Sequence, residues 1–294
     1  MEFATFIDPI QSIVERLENE PSFMEPSRLR ERLEALDRLD ACFPDVPRPI
    51  AAGDTELHRR ASAVRARLEA ANSELYATIR SEIRRGAGSE ALRRWVDFSP
   101  KIDENGLDRG IGYDSLDELI RGVLPFEEPS DAPAPAEPEM VFYQPTPARH
   151  IFTLIGLTQL TAADVLVDLG SGLGHVPLLV SICTRARSVG IELEATYVER
   201  ARQCAESLHL DRVAFINQDA READLSEGTV FYLYTPFSGS ILRCVLDRLR
   251  REAANRRIRI CTYGPCTSVV AEERWLKTAA APETDRIAVF SSRD

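Results

Sequence analysis

The segment Val165-Leu-Val-Asp-Leu-Gly-Ser-Gly-Leu-Gly174 sets one carboxylate, Asp168, just ahead of three glycines at alternate positions, Gly170, Gly172 and Gly174, with Ser171 between the first two. Glycine accepts positive φ without a Cβ penalty and lets a ligand lie against the main chain. β-branched residues precede the acid and an apolar run, Val176 to Ile182, follows the last glycine. That order predicts a buried strand, a tight turn and a helix whose first N–H groups face the turn. The spacing is not the Gly-x-Gly-x-x-Gly of dinucleotide sites, and no Lys followed by Ser or Thr completes a phosphate-binding loop. A carboxylate at the strand tip repels a pyrophosphate and attracts a cation. The chemistry expected here is recognition of a positively charged ligand that lacks phosphate.

The elements that must position this loop read as alternating strands and helices. A helix over 148–160 leads into the strand 165–167, and the helix 176–182 follows the glycines. Further strands are expected over 187–192, 213–217, 229–233 and 256–263, with helices over 195–209 and 240–254. Trp275 and then 285–291 suit a terminal antiparallel pair. Glu192, 24 residues beyond Asp168, ends the second strand. An acid there accepts hydrogen bonds from ribose hydroxyls, with Glu194 the alternative if the strand runs longer. The fourth strand runs into Tyr234-Thr-Pro-Phe237. Ligands of doubly wound sheets lie beyond the carboxyl ends of the strands, so Tyr234 and Phe237 can wall a reacting group and exclude water. Thr146 is a candidate cap for the helix starting at Ala148. The seven arginines from Arg243 to Arg259 are read as solvated faces rather than an anion site.

Val-Asp-Leu-Gly-Ser-Gly-Leu-Gly resembles the first motif of the class I S-adenosylmethionine-dependent methyltransferases. S-adenosylmethionine carries an ammonium and a sulfonium and no phosphate, which agrees with Asp168. The resemblance covers about residues 141–294. It implies a doubly wound α/β sheet of seven strands in the order 3-2-1-4-5-7-6, the last antiparallel. It also implies cofactor contacts from Asp168, Gly170, Ser171, Gly172, Gly174 and Glu192. Asp219 matches the family's adenine contact, and the Ala220 N–H would meet a ring nitrogen. Tyr143-Gln-Pro-Thr-Pro147 resembles the lead-in segment of seven-strand protein lysine methyltransferases, which lies over the methionine end of the cofactor. On that basis Tyr143 and Thr146 join the site, and Tyr143, Tyr234 and Phe237 are the candidates nearest the methyl group. Amine methylators of the family often carry an acid, Asn or Ser before Pro-Pro and an aromatic. Here one proline is present and Thr235 stands in the polar place.

Ahead of this lies a different composition. Amphipathic helices are expected over 1–20, 27–42 and 54–85, a short one carries Leu92, Trp95 and Val96, and Asp114 is a candidate cap for a helix through Leu124. Residues 125–139, rich in proline, read as an extended linker between a helical N-terminal domain (1–124) and the methyltransferase domain (140–294). The net charge of -11 over 294 residues is carried by the first 140, and the rest is balanced. That balance argues against a nucleic-acid partner. No apolar run approaches transmembrane length, and no signal segment is evident. The six cysteines lack a Cys-x-x-Cys pair, so a cytoplasmic protein with reduced thiols and no metal is expected.

Methyl transfer from a sulfonium is an in-line displacement, so alignment, water exclusion and a free lone pair on the acceptor govern it. No residue is an obvious base, and His150 and His175 read as structural or cofactor-facing. The function expected is methyl transfer to an amine, a protein lysine included. The alternatives are a small-molecule methyltransferase with the helical domain as a lid, and a cofactor-binding protein without turnover. A nicotinamide oxidoreductase is disfavoured by Asp168 and the glycine spacing.

Overall fold

A computed structural model describes residues 9–42, 54–96, 112–126 and 138–293. The first eight residues of the helix expected over 1–20 and most of the proline-rich linker expected over 125–139 lie outside these residues. The contacts divide the chain into two compact units, 1–79 and 80–294.

The first unit holds α1 (Pro9–Asn19), two short 3-10 turns, α2 (Leu29–Cys42) and most of α3 (Asp54–Arg84). Val14, Leu17, Phe23, Ala35, Leu39, Ala61, Val64 and Leu68 bury one another along their helical stripes. Arg32 is fully buried among them. Its guanidinium donates to Asn72 Oδ1 at 2.6 Å and to the carbonyls of Phe23 and Glu25 at 2.8 and 2.6 Å, so neutral acceptors solvate the charge. Arg60 forms a forked pair with Glu18 at 3.0 and 2.5 Å.

The second unit is built on a seven-strand sheet in the order β3-β2-β1-β4-β5-β7-β6, as the resemblance implied. The strands are β1 (Val165–Leu169), β2 (Arg187–Glu192), β3 (Val213–Asn217), β4 (Val230–Tyr234), β5 (Arg259–Tyr263), β6 (Leu276–Thr278) and β7 (Ala288–Ser292). The first five pair in parallel, and β7 runs antiparallel to both β5 and β6. Helices α6 (Ala148–Thr158), α7 (His175–Cys183), α8 (Ala195–Ser207), α9 (Gly239–Ala253) and the short α10 (Cys266–Ala271) accompany them. β1 is buried at every position, as befits a central parallel strand covered on both faces. One side of the core joins Val165, Val167 and Leu169 to Phe231, Leu233, Val245, Leu246 and Phe290.

Two further helices belong to this unit, α4 (Gly88–Val96) and α5 (Ser115–Val123). Gly88 lies so close to α7 that a Cβ there would stand 2.7 Å from Ile182 Cγ2. α5 begins with a capping box, in which the Asp114 side chain accepts from Leu116 N at 2.7 Å and Asp117 Oδ2 accepts from Asp114 N at 2.8 Å. We retain the boundary near 125–139 as a proposal about chain organisation; the contacts place α4 and α5 with the sheet.

Asp117 Oδ1 also accepts from Ala148 N at 2.7 Å. This corrects the expectation for Thr146. The residue before α6 is Pro147, no side chain of its own segment caps it, and the buried Thr146 hydroxyl instead meets the Tyr232 hydroxyl at 3.0 Å. Asp117→Ala removes acceptors from two helix starts at once. It is expected to lower stability by about 1–2 kcal/mol in urea unfolding.

Of the seven arginines, Arg243, Arg250, Arg251 and Arg257 are exposed as expected, whereas Arg248, Arg256 and Arg259 are half-buried. Arg248 donates to the carbonyls of Ala220 and Ala223 at 3.1 and 2.5 Å, Arg256 to that of Leu225 at 2.7 Å and to that of Gly228, and Arg259 to that of Thr158 at 2.5 Å. Arg248 thus ties α9 to the turn over 220–223, Arg256 joins two loops, and Arg259 ties the end of α6 to β5.

Candidate functional site

Parallel pairing fixes where each strand tip lies. Asp168 stands opposite Gly190 of β2 and Tyr232 of β4, Glu192 opposite Asn217 of β3, and Tyr234 opposite Tyr263 of β5. The tips open onto one cavity of about 640 Å³, within the range of small-molecule and cofactor sites. Tyr143, Thr146, Asp168, Gly170, Ser171, Glu192, Asp219, Ala220, Tyr234 and Phe237 all line it. Gly172 and Gly174 do not. Gly174, at φ 82°, starts α7, and a Cβ there would lie 2.3 Å from Phe215 Cε1, so it permits close packing of α7 on β3.

Asp168 is 4% exposed. Burial, reinforced by the nearby Glu192, pushes its carboxyl well above the ordinary carboxylate range. Among the described residues no hydrogen bond or ion pair engages it. The Ser171 hydroxyl is likewise buried without a partner. Two polar groups desolvated against a cavity, one of them acidic, fit the ammonium of a ligand that completes them. Glu192 holds the loop together, accepting from Gly172 N at 2.7 Å through Oε2 and from Glu194 N at 2.9 Å through Oε1. Each oxygen keeps a lone pair that a ribose hydroxyl can use.

Asp219 faces the same cavity but is already engaged. Arg221 grips it at 2.6–3.1 Å, and this guanidinium hydrogen bond holds its carboxyl below the usual range. An adenine amine would share Asp219 with Arg221.

The far end of the cavity is aromatic. Tyr234 and Tyr263 have ring centroids 4.7 Å apart, and His150 packs on Tyr263 at 4.4 Å. Burial, then the neighbouring Tyr263 and Tyr113, push the Tyr234 phenol up, so it stays protonated. Thr235 adopts φ 40°, unusual for a β-branched residue. Its hydroxyl donates to Tyr263 O at 3.2 Å and accepts from Cys266 N at 3.1 Å. Thr235 therefore shapes the loop and leaves the polar place to others. The lead-in segment is fixed at both ends, by Val141 N donating to Pro236 O at 3.2 Å and the Tyr113 hydroxyl donating to Pro145 O at 2.8 Å.

Sequence reasoning missed the contribution from the far side of the sheet: Tyr263, Gly264, Pro265, Thr284 and Asp285 also line the cavity. The tip of β5 was identifiable from the rule for doubly wound sheets. Nothing in the sequence flagged Asp285, which precedes the antiparallel β7. No described helix is long and apolar enough to cross a membrane.

A family model described as "Histone methylation protein DOT1" matches residues 141–230, from the lead-in segment to the first residue of β4. A comparison with curated proteins finds no match. Among solved structures, an RNA methyltransferase from Salinibacter ruber in complex with S-adenosyl-L-homocysteine is 27% identical over 51% of this chain and 92% of its own, with a TM-score of 0.40. A methyltransferase from Geobacter sulfurreducens is 18% identical over 52% of this chain and 80% of its own, at 0.40. A SAM-dependent methyltransferase from the same organism, in complex with S-adenosyl-L-homocysteine, is 23% identical over 39% of this chain and 47% of its own, at 0.33.

Proposed function

We propose that this chain, a class I S-adenosylmethionine-dependent methyltransferase, methylates an amine, and more narrowly a lysine side chain of a protein. The observation that carries the reading is the pair of tyrosine faces, Tyr234 and Tyr263, at the β4 and β5 tips, in a cavity that Asp285 also lines, its carboxylate 3.7 Å from the Arg286 guanidinium. Aromatic faces attract a cationic amine. The similarity of residues 141–230 to a histone methylation family supports a protein lysine. The acid excess of the chain speaks against a nucleic-acid acceptor.

The bound cofactor supplies a methyl group on a sulfonium, which needs no activation. The chain then has three tasks. Asp168, Ser171 and Glu192 hold and orient the nucleoside and its amino-acid end. Tyr234, Phe237 and Tyr263 exclude water and align the acceptor. The acceptor amine must also lose a proton. Burial holds the His175 imidazole down to about 4, too weak a base at neutral pH, and the Tyr234 phenol stays protonated. Neither takes that proton, so the amine, drawn to the aromatic wall as a cation, sheds it to water at the cavity mouth before transfer.

Methyl-labelled cofactor incubated with the full chain and basic peptides, small amines or total RNA tests the reading. Methyl-lysine in peptide hydrolysates is expected; label confined to RNA or to small acceptors would overturn it. Tyr234→Ala is expected to raise the peptide KM about tenfold, with cofactor affinity unchanged and Tyr234→Phe near wild type.

A further inference from the structure

The Tyr143 ring sits on the glycine loop. A Cβ at Gly172 would stand 2.0 Å from Tyr143 Cε2, so the ring occupies the space that only glycine leaves free. Tyr197 of α8 packs against it at 4.9 Å. The Tyr143 hydroxyl lies 3.1 Å from His175 Nδ1, and the His175 ring in turn contacts Phe126 at 4.8 Å. The two residues before Tyr143 face outward, Val141 at 50% and Phe142 at 69% exposure. Tyr143 is thus the inward anchor between the exposed Phe142 and Gln144, ahead of the buried Thr146. His175 is the first residue of α7, directly after Gly174, so its position is set by the ligand-binding loop itself.

We infer that His175 is a positioning residue: it latches the Tyr143 ring over the glycine loop, and opening of this latch governs release of the cofactor. The inference rests on the cofactor assignment and is independent of the acceptor. The neutral imidazole suits the role, because it offers one ring nitrogen to the phenol without adding a charge beside the cofactor's cationic end. A ligand of nucleoside size covered by the ring cannot leave until the segment lifts.

The test is the dissociation rate of S-adenosylhomocysteine from the full chain, followed by stopped flow. Tyr143→Phe and His175→Phe are each expected to speed release about five- to tenfold. The double variant should be no faster than either single one, because the two changes remove the same hydrogen bond. His175→Asn, which can offer an oxygen near the place of Nδ1, should release slowly. A merely structural histidine would give rates that multiply in the double variant and no rescue by Asn. Multiplying rates, or an unchanged rate in Tyr143→Phe, would overturn the latch; Tyr143→Phe keeps the ring, so this arm stands even if the His175 variants misfold. Absence of S-adenosylhomocysteine binding by the wild-type chain would refute the cofactor assignment instead.

Discussion

Replacing Asp168 with Asn is expected to weaken S-adenosylhomocysteine binding more than ~100-fold while leaving the ligand-free protein at least as stable as wild type. The two effects have one cause. Asp168 is buried, and burial first, then Glu192, raises its folded pKa above the unfolded value. The folded state therefore holds this proton more tightly than the unfolded chain. The group's favourable contribution is complete below its unfolded pKa and is lost as pH rises through the raised folded pKa. At neutral pH the carboxylate is consequently a burden on the ligand-free fold, which Asn removes. An ammonium arriving beside it reverses the sign. Breaking a buried charge pair by deleting one member typically costs about 3–5 kcal/mol, more than two decades in affinity. Wild-type affinity should fall as pH drops through the raised pKa, and binding in that range should release protons, detectable by calorimetry in buffers of different ionisation enthalpy. Equal affinities for the two proteins, or a less stable Asn variant, would remove Asp168 from the role assigned to it.

Gly170→Ala is expected to reduce kcat about 100-fold, with a smaller loss of cofactor affinity. Gly170 takes φ 84°, and a Cβ there would meet Pro236 Cβ at 2.3 Å. Pro236 belongs to the Tyr234–Phe237 loop, so this glycine is where the glycine loop touches the loop proposed to wall the acceptor. A methyl group at that point pushes the two apart. A misplacement on the order of 1 Å can slow an in-line transfer about a hundredfold. Gly86 provides the control, since its φ is 80° but no atom lies within 4 Å of a Cβ there. Both alanine variants should lose about 1–2 kcal/mol to left-handed strain, yet Gly86→Ala should turn over normally. If both lose activity equally, backbone strain rather than the collision is responsible.

The part of the cavity wall proposed to hold the cofactor was legible in the sequence because it is local. Acid, glycines and helix lie within one stretch, and β2 and β3 end where their apolar patterns end. The part proposed to wall the acceptor draws on distant segments. Tyr263 and Asp285 reach the cavity only through the β4–β5 and β5–β7 pairings, which no short-range pattern encodes. Local signals also misled where a distant residue won. Thr146 had the right chemistry for a cap, but Asp117 of α5 reaches Ala148 N first. Thr235 stands where the family's polar residue would, and its hydroxyl is engaged by Tyr263 and Cys266. The expected strand 256–263 begins only at Arg259, because Arg256 turns to the Leu225 and Gly228 carbonyls. The short α10 escaped notice behind Gly264-Pro265.

Helix α5 bears on how the chain can be dissected. Its Asp117 serves the main chain at the threshold of α6, and Tyr113, just ahead of it, serves Pro145. A fragment trimmed to begin at the lead-in segment would strip both residues away. Water would then have to satisfy the Ala148 N–H and the Pro145 carbonyl beside the mouth of the cavity. A fragment meant to keep the entrance of the cavity intact should therefore start upstream of Tyr113, because the helix that looks like an appendage supplies part of its door frame.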